Sequence, residues 1–295
     1  MVFQTLDDKS ECVGIYVDGS LHFDKIPTGL TKTWKYTGSV QGPDIEYAWL
    51  YAAGASLEQS CPDTLKEDWN RCHKRFVAYR RAFELGKINL REHCFFDLVP
   101  ESFLEDFCDV KNKITEYIFE TRDRPENYKL LSGFQKLIYK IGQQSLNLNK
   151  DECRQLYHTT SGRHKANELL KGAHHIDYNL FGTVTGRLTT RRNSFPILTL
   201  KKEFRKLVKP HNDWLVSLDY NGAEVRTLLQ LTGHEQPNVD IHDWNVKHLF
   251  NNDVDRATAK TLFFSWLYNP ESDAIQTKYY DRKKVLDKWY DGEYI

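Results

Sequence analysis

Four residues spaced four apart, Arg256, Lys260, Phe264 and Tyr268, have the types and spacing best suited to chemistry in this chain. On a helix, steps of four keep side chains on one slowly drifting stripe. Two cations lead the stripe and two aromatics follow. A core stripe does not normally carry a Lys and an Arg, and a solvated stripe does not normally carry a Phe and a Tyr. The combination suits a ligand with an anionic end and a flat end, which describes a nucleoside triphosphate. The plainer alternative is an amphipathic helix whose cations snorkel past its apolar face.

Upstream, Trp214-Leu-Val-Ser-Leu-Asp219 reads as an apolar strand that ends on a carboxylate just where a helix begins. Carboxylates at the carboxyl ends of strands are placed to meet a ligand or metal at a sheet edge, although Asp is also a preferred helix N-cap. On such a strand Asp219 is a natural ligand for Mg2+, which takes one or two carboxylates together with substrate phosphates and water. Glu224 falls on the first turn of the next helix, with Arg226 two residues on. His242, in Asp240-Ile-His-Asp243, lies between this segment and the stripe. Thr185-Gly-Arg187-Leu-Thr-Thr190 supplies a tight turn, hydroxyls and a guanidinium. From Arg187 to Lys209, eight cations (187, 191, 192, 201, 202, 205, 206 and 209) stand against one acid, Glu203. Such a stripe is the footprint of a phosphate-backbone contact, or else a soluble loop.

The elements that must position these groups can be traced by pattern. Cys12–Val17 and Leu21–Phe23 flank Asp18-Gly19, a hairpin turn signal. Pro43 opens a helical pattern to about Gln59, and a longer helix runs from Pro62 to about Lys87 with Leu65, Trp69, Cys72, Phe76, Tyr79 and Phe83 at helical spacing. Helices fit 100–120 and 125–142. From Asp151 to Lys171 a helix is expected with a break near Ser161-Gly162, followed by a strand over 174–181. Helices at 222–231, 241–250 and 254–267 and a charged terminal helix complete the pattern. The expected class is α+β, mainly helical.

Composition bounds the rest. The chain has 295 residues, with Lys+Arg and Asp+Glu both at 41, so it has no global polyanion-binding signature. Its six cysteines show no Cys-x-x-Cys and no metal spacing with histidines, which fits reduced thiols of an intracellular protein. No signal peptide is visible, and no apolar run approaches the roughly 20 residues that span a bilayer. A cytoplasmic, soluble protein without a membrane partner is expected.

Taken in order, Thr185-Gly-Arg-Leu-Thr-Thr190, Asp219-Tyr-Asn-Gly-Ala-Glu-Val-Arg226, Asp240-Ile-His242 and Arg256-x3-Lys260-x3-Phe264-x3-Tyr268 resemble the motifs of the family A DNA polymerases, the DNA polymerase I class, in phage-like form. The resemblance covers about residues 175–295. Residues 1–145 lie outside it and read, from their pattern alone, as a mainly helical domain with a small β element; the resemblance implies a thumb-base and palm segment over 146–240 with an antiparallel palm sheet, and helical fingers over 241–295. The function implied is template-directed DNA synthesis from dNTPs on primer-template DNA by a two-metal mechanism with Mg2+. By position, Asp219 would bind both ions, aided by the Tyr220 carbonyl. Glu224 would exclude a 2′-hydroxyl. His242, Arg256 and Lys260 would grip the triphosphate, with Lys260 protonating the leaving pyrophosphate. Phe264 would stack on the incoming sugar and Tyr268 would guard the templating base. Arg187 would reach the primer terminus, with Arg191, Arg192, Lys201, Lys202 and Arg205 along the DNA backbone.

The pattern also departs from the family. Gly222 stands where the family has Gln, Asn269-Pro270 where it has Gly after Tyr268, and Asn193-Ser-Phe-Pro-Ile where it has a template-contact segment. The residue before a proline is pushed to extended backbone, so the helix end must differ locally. The second carboxylate, carried in the family by a His-Asp-Glu hairpin, has no counterpart after Tyr268, where Asp273, Asp281, Asp287 and Asp291 lie on or near a charged helix. The chain is therefore expected to be the N-terminal part of a polymerase, completed by a C-terminal chain that pairs with a strand starting at Tyr294-Ile295. Asp44-Ile-Glu46 sits at a helix start, and no editing site is expected from it. The competing readings are a single-subunit RNA polymerase, which Glu224 argues against, and a non-catalytic DNA-binding remnant or accessory protein.

Overall fold

The computed structural model describes residues 1–9, 14–23, 25–183, 186–269 and 271–289. The chain divides into two compact units, Met1–Asn212 and Asp213–Ile295. Its class is α+β and mainly helical, with small sheets.

In the first unit, β1 (Phe3–Thr5), β2 (Ile15–Val17) and β3 (Ser20–His22) form an antiparallel sheet in that order. Val17 pairs with Ser20 across Asp18 and Gly19, whose φ values of 50° and 77° are both positive. That is the geometry of a type I′ turn, whose twist matches the strands it joins. β4 (Lys32–Thr33) and β5 (Glu46–Tyr47) pair in parallel.

The helix expected from Pro43 to Gln59 does not form as one piece. After β5 come a single turn, α1 (Ala48–Tyr51), and a second, α2 (Leu57–Ser60). Ala53 and Gly54 between them take positive φ, and a Cβ on Gly54 would lie 2.3 Å from the Phe181 ring. The chain must turn there, and only glycine fits beneath that ring. Glu46 thus lies on a strand and not at a helix start. It accepts a 2.9 Å hydrogen bond from the Tyr51 hydroxyl and faces Arg124 at 3.4 Å.

The long helices follow the sequence pattern closely. They are α3 (Lys66–Leu85), α4 (Glu101–Thr121) and α5 (Tyr128–Gln143). Along α4 the buried residues Phe103, Phe107, Val110, Ile114 and Ile118 recur at helical spacing and form the centre of the larger core. The Phe107 ring stacks on Phe76 of α3 at 5.6 Å.

Beyond α5, the unit continues with β6 (Asn147–Leu148), α6 (Lys150–Gln155) and α7 (Thr160–Lys171). The expected break falls just before Ser161-Gly162. Thr159 caps α7 through its side chain, which accepts from the Gly162 amide at 3.0 Å, and a Cβ on Gly162 would lie 2.3 Å from the Leu156 carbonyl oxygen. Of the strand expected over 174–181, only β7 (Tyr178–Asn179) forms, paired with β8 (Thr189–Thr190). After α8 (Lys202–Arg205), β9 (Val208–Lys209) returns to pair with β6. Phe195, Leu200, Phe204 and Leu207 bury against Cys153, Ala166 and Leu169 in a second cluster. The five described cysteines are buried and unbridged, and burial pushes the Cys108 thiol up to about 12.

The second unit holds α9 (Ala223–Leu231), α10 (Ile241–Leu249), α11 (Arg256–Tyr268) and α12 (Arg282–Trp289). Val225, Leu229, Ile241 and Phe263 are its fully buried centre. No strand occurs among its described residues. The apolar run 214–219, expected as a palm strand, forms no regular structure and is exposed, with Leu218 91% accessible. A strand needs a ladder partner for its backbone groups, and among the described residues no strand ladder includes this run. The antiparallel pairs lie instead in the first unit. Thr185, Pro270, Asp291 and Tyr294-Ile295, on which other expectations rest, lie outside the described residues. No described helix is long and apolar enough to cross a membrane.

Candidate functional site

The second unit gathers three of the four sequence motifs through one carboxylate. Asp240 is the N-cap of α10, accepting from the amides of His242 (2.9 Å) and Asp243 (3.1 Å). It also accepts both arms of a fork from Arg256 at the start of α11, at 3.1 and 2.7 Å. Asn221 donates its side-chain amide to Asp240 and accepts from the Ile241 amide at 2.8 Å. The Arg256 hydrogen bonds, with those from Asn221 and the α10 amides, hold the Asp240 carboxyl well below the usual carboxylate range.

Arg226 fixes the loop that leads into α10. Its guanidinium donates to the carbonyls of Pro237 (2.9 Å), Val239 (2.7 Å) and Asn221 (2.9 Å). Gly222 explains the departure from Gln at its position. It is the N-cap of α9 with φ +63°, and a Cβ there would come within 2.5 Å of the Ile241 side chain. The close approach of residues 221–222 to α10 therefore requires glycine.

On α11 the stripe forms as expected. Ala259, Phe263 and Trp266 bury one face, while Arg256, Lys260 and Tyr268 are exposed on the other and Phe264 is half-buried. The Phe264 and Tyr268 rings are near-parallel, 11° apart in plane, with centroids 5.9 Å apart. The helix stops at Tyr268, and Asn269 before Pro270 takes extended backbone (φ −110°, ψ 101°). Arg282 satisfies the freed end, donating to the carbonyls of Trp266 and Asn269 while its guanidinium lies over the Trp266 ring at 4.8 Å.

His242 is placed differently from a solvent-facing phosphate ligand. It is 3% exposed, lies under Phe264 with ring centroids 6.0 Å apart, and its Nδ1 has no hydrogen-bond partner. Burial lowers its pKa. Among the neighbouring charges, Asp240 and Asp243 oppose that shift and Arg256 and Lys260 reinforce it. The Lys260 ammonium is thus close enough to be felt by the ring, and it has no carboxylate partner among the described residues.

Asp219 and Tyr220 lie on the exposed segment leading to α9, Tyr220 being 83% accessible, and Glu224 is exposed on the first turn of that helix. Asn221 ties this segment to Asp240 and so to Arg256. The donors do not fit a protein-built two-ion site. Asp219 and the Tyr220 carbonyl are too few, and no group of three His, Cys, Asp or Glu side chains that could hold a metal occurs among the described residues. The basic residues Arg187, Arg191, Arg192, Lys201, Lys202 and Arg205 are all exposed in the first unit. Sequence reading missed Asn221, Arg226 and Asp240 as the framework. The Asp before a helix pattern was the available signal for the last of these.

No family model matches the sequence. No solved structure matches it either. Among curated proteins it is similar to a DNA polymerase I of Synechocystis sp., 30% identical over 112 residues. The match covers 32% of this chain and 11% of that protein's own length.

Proposed function

We propose that this chain is a nucleotide- and DNA-binding part of a DNA polymerase that takes dNTPs for template-directed synthesis. The observation that carries the reading is the outer face of α11, where the Lys260 cation, with no carboxylate partner among the described residues, stands between an anchored arginine and a stacked aromatic pair. The likeness to a DNA polymerase I and the family order of the four motifs support it.

In this reading Lys260 meets the phosphates and supplies the proton that the leaving pyrophosphate needs. Arg256 is already spent on Asp240, so it adds positive potential and holds α10 and α11 in register instead of closing freely on the ligand. Phe264 and Tyr268 offer the flat surface for sugar and base. His242 packs beneath Phe264 and sets that ring's height. Glu224, at the start of α9, would exclude a 2′-hydroxyl and thereby select deoxynucleotides over the ribonucleotides of an RNA polymerase. Asp219 and Tyr220 would supply part of the electrostatics of the reacting end, with further carboxylates coming from another polypeptide segment. Arg187, Arg191, Arg192, Lys201, Lys202 and Arg205 would hold primer-template DNA by its backbone, which makes binding fall steeply with salt.

That Asp219 belongs to no metal-holding group among the described residues favours a second reading, in which the chain binds nucleotide and DNA without catalysis. Fluorescent dNTP binding to Lys260→Ala and Lys260→Arg separates both readings from a structural stripe. The alanine variant should lose about tenfold in triphosphate affinity, the worth of a hydrogen bond to a charged group, while arginine restores most of it. Unchanged affinity in the alanine variant would remove the nucleotide site. Primer extension by the chain, alone and with added polymerase C-terminal segments, then distinguishes synthesis from binding.

A further inference from the structure

The first unit holds a cavity of about 580 Å³ where α3, the loop after it and the turn at Asn193 meet. That volume lies in the range of small-ligand pockets. Three cations, Lys9, Arg80 and Arg91, line it against one carboxylate, Asp8. Two of the three are anchored. The Lys9 ammonium lies 3.1 Å from Asp8, and Arg91 pairs with Asp177 through both terminal nitrogens. Arg80 is exposed, with its guanidinium 5.7 Å from the centre of the Phe76 ring, and it has no carboxylate partner among the described residues. Glu84 and Glu92, the acids nearest in sequence, line no part of the cavity, and Glu92 accepts from the Asn89 side chain at 2.7 Å. The apolar wall is aromatic. Phe95 is buried, and Phe76 is covered by Phe107 and Arg80. Phe96 is half-buried, and among the described residues its one ring contact is Phe95, near-perpendicular at 5.6 Å. Phe96 is thus the ring left to meet a ligand.

Asp177 holds the walls in place. Besides pairing with Arg91, it accepts the Arg191 amide at its backbone carbonyl (2.9 Å) and donates its own amide to the Ser194 hydroxyl (2.9 Å). Those bonds fix the turn that brings Asn193, with φ +60°, to the cavity. Arg191 and Arg192 directly precede it and are exposed. A guanidinium without a carboxylate and a ring without a stacking partner, beside two anchored cations, suit a ligand with an anion and a flat face. We infer that this cavity takes one unpaired nucleotide, its base on Phe96 and its phosphate at Arg80 and Arg91. Stacking on an aromatic side chain tolerates any base, whereas a base inside a duplex is already stacked and must be extruded to enter. The nucleotide is free, or it is one residue of a single DNA strand whose further phosphates meet Arg191 and Arg192. The strand as source rests on the DNA-binding reading proposed above; the cavity itself does not.

The test uses the full chain carrying Lys260→Ala, which takes the α11 face out of the comparison. Anisotropy reads the binding of a labelled oligothymidylate and of a blunt duplex, with unlabelled thymidylate as competitor. Phe96→Leu should weaken the oligothymidylate about tenfold, within the worth of one stacked base, while Phe96→Tyr, which keeps the ring, should not. Arg80→Gln, at an exposed position of α3, should weaken it several-fold and lower its salt dependence by about one charge. Duplex affinity should stay the same in all three variants, which also shows that they fold. Competition by thymidylate that Phe96→Leu abolishes would support the free nucleotide as source. Phe96-dependent binding of the oligothymidylate without such competition would support the strand. Unchanged affinity in Phe96→Leu, an equal loss for oligothymidylate and duplex, or no binding of oligothymidylate or thymidylate would each overturn the inference. A duplex that fails to bind while nucleotide binding still depends on Phe96 would overturn the DNA-binding reading alone.

Discussion

Gly222 shows how a single residue can be fixed by its neighbours and not by its own chemistry. Its left-handed backbone and the Ile241 side chain 2.5 Å from its missing Cβ leave no room for another residue. Gly222→Ala should therefore destabilise the second unit by about 2–3 kcal/mol, from backbone strain together with the clash. Urea unfolding checks this. A loss under half a kcal/mol would mean that residues 221–222 do not approach α10 so closely.

At the scale of elements, α10 and α11 are joined by Asp240, which caps one and pairs with the first residue of the other. Asp240→Ala should cost about 1–2 kcal/mol through the lost cap alone, whereas Asp240→Asn should cost less, since it keeps the cap acceptor. Unfolding curves that rank the two equally would show that the charge pair and not the cap holds α10. His242, buried beneath α11, adds a pH dependence. Its pKa is depressed below the ordinary histidine value, so the unfolded chain binds a proton more readily than the folded one. Its contribution is therefore intact above the unfolded pKa of about 6.5 and is lost as pH falls through the folded value. As pH falls below about 6.5 stability should decline, and His242→Gln should flatten that slope. A slope unchanged in the variant would assign the effect elsewhere, His175 being the other histidine whose pKa burial lowers.

For the whole molecule, residues 213–221 are exposed at the start of the second unit and include Trp214, Leu215, Leu218 and Tyr220. Exposed backbone outside helices and strands is where proteases cut first. Brief chymotrypsin treatment should release fragments ending within 214–220, close to the boundary at Asn212, and mass spectrometry identifies them. First cuts inside α4 or α11, with this segment intact, would show that something covers it.

The sequence alone determined the local events. Asp18-Gly19 dictated its hairpin because two positive φ values suit those residues. The spacing on α3, α4 and α11 dictated helices because each buries one face, and Pro270 dictated where α11 ends. The stripe of Arg256, Lys260, Phe264 and Tyr268 was legible for the same reason, since helical spacing is a local property. Tertiary structure decided whatever depended on a distant partner. Residues 214–219 have a strand's composition, but composition cannot supply the neighbour that a ladder requires, and among the described residues none does. The helical pattern from Pro43 was overruled at Gly54 by Phe181, more than a hundred positions away. Arg256 reads as a free cation until Asp240 claims it, and His242 as an exposed ligand until Phe264 covers it. Those four outcomes turn on contacts between residues far apart in the chain, which periodicity and propensity do not encode.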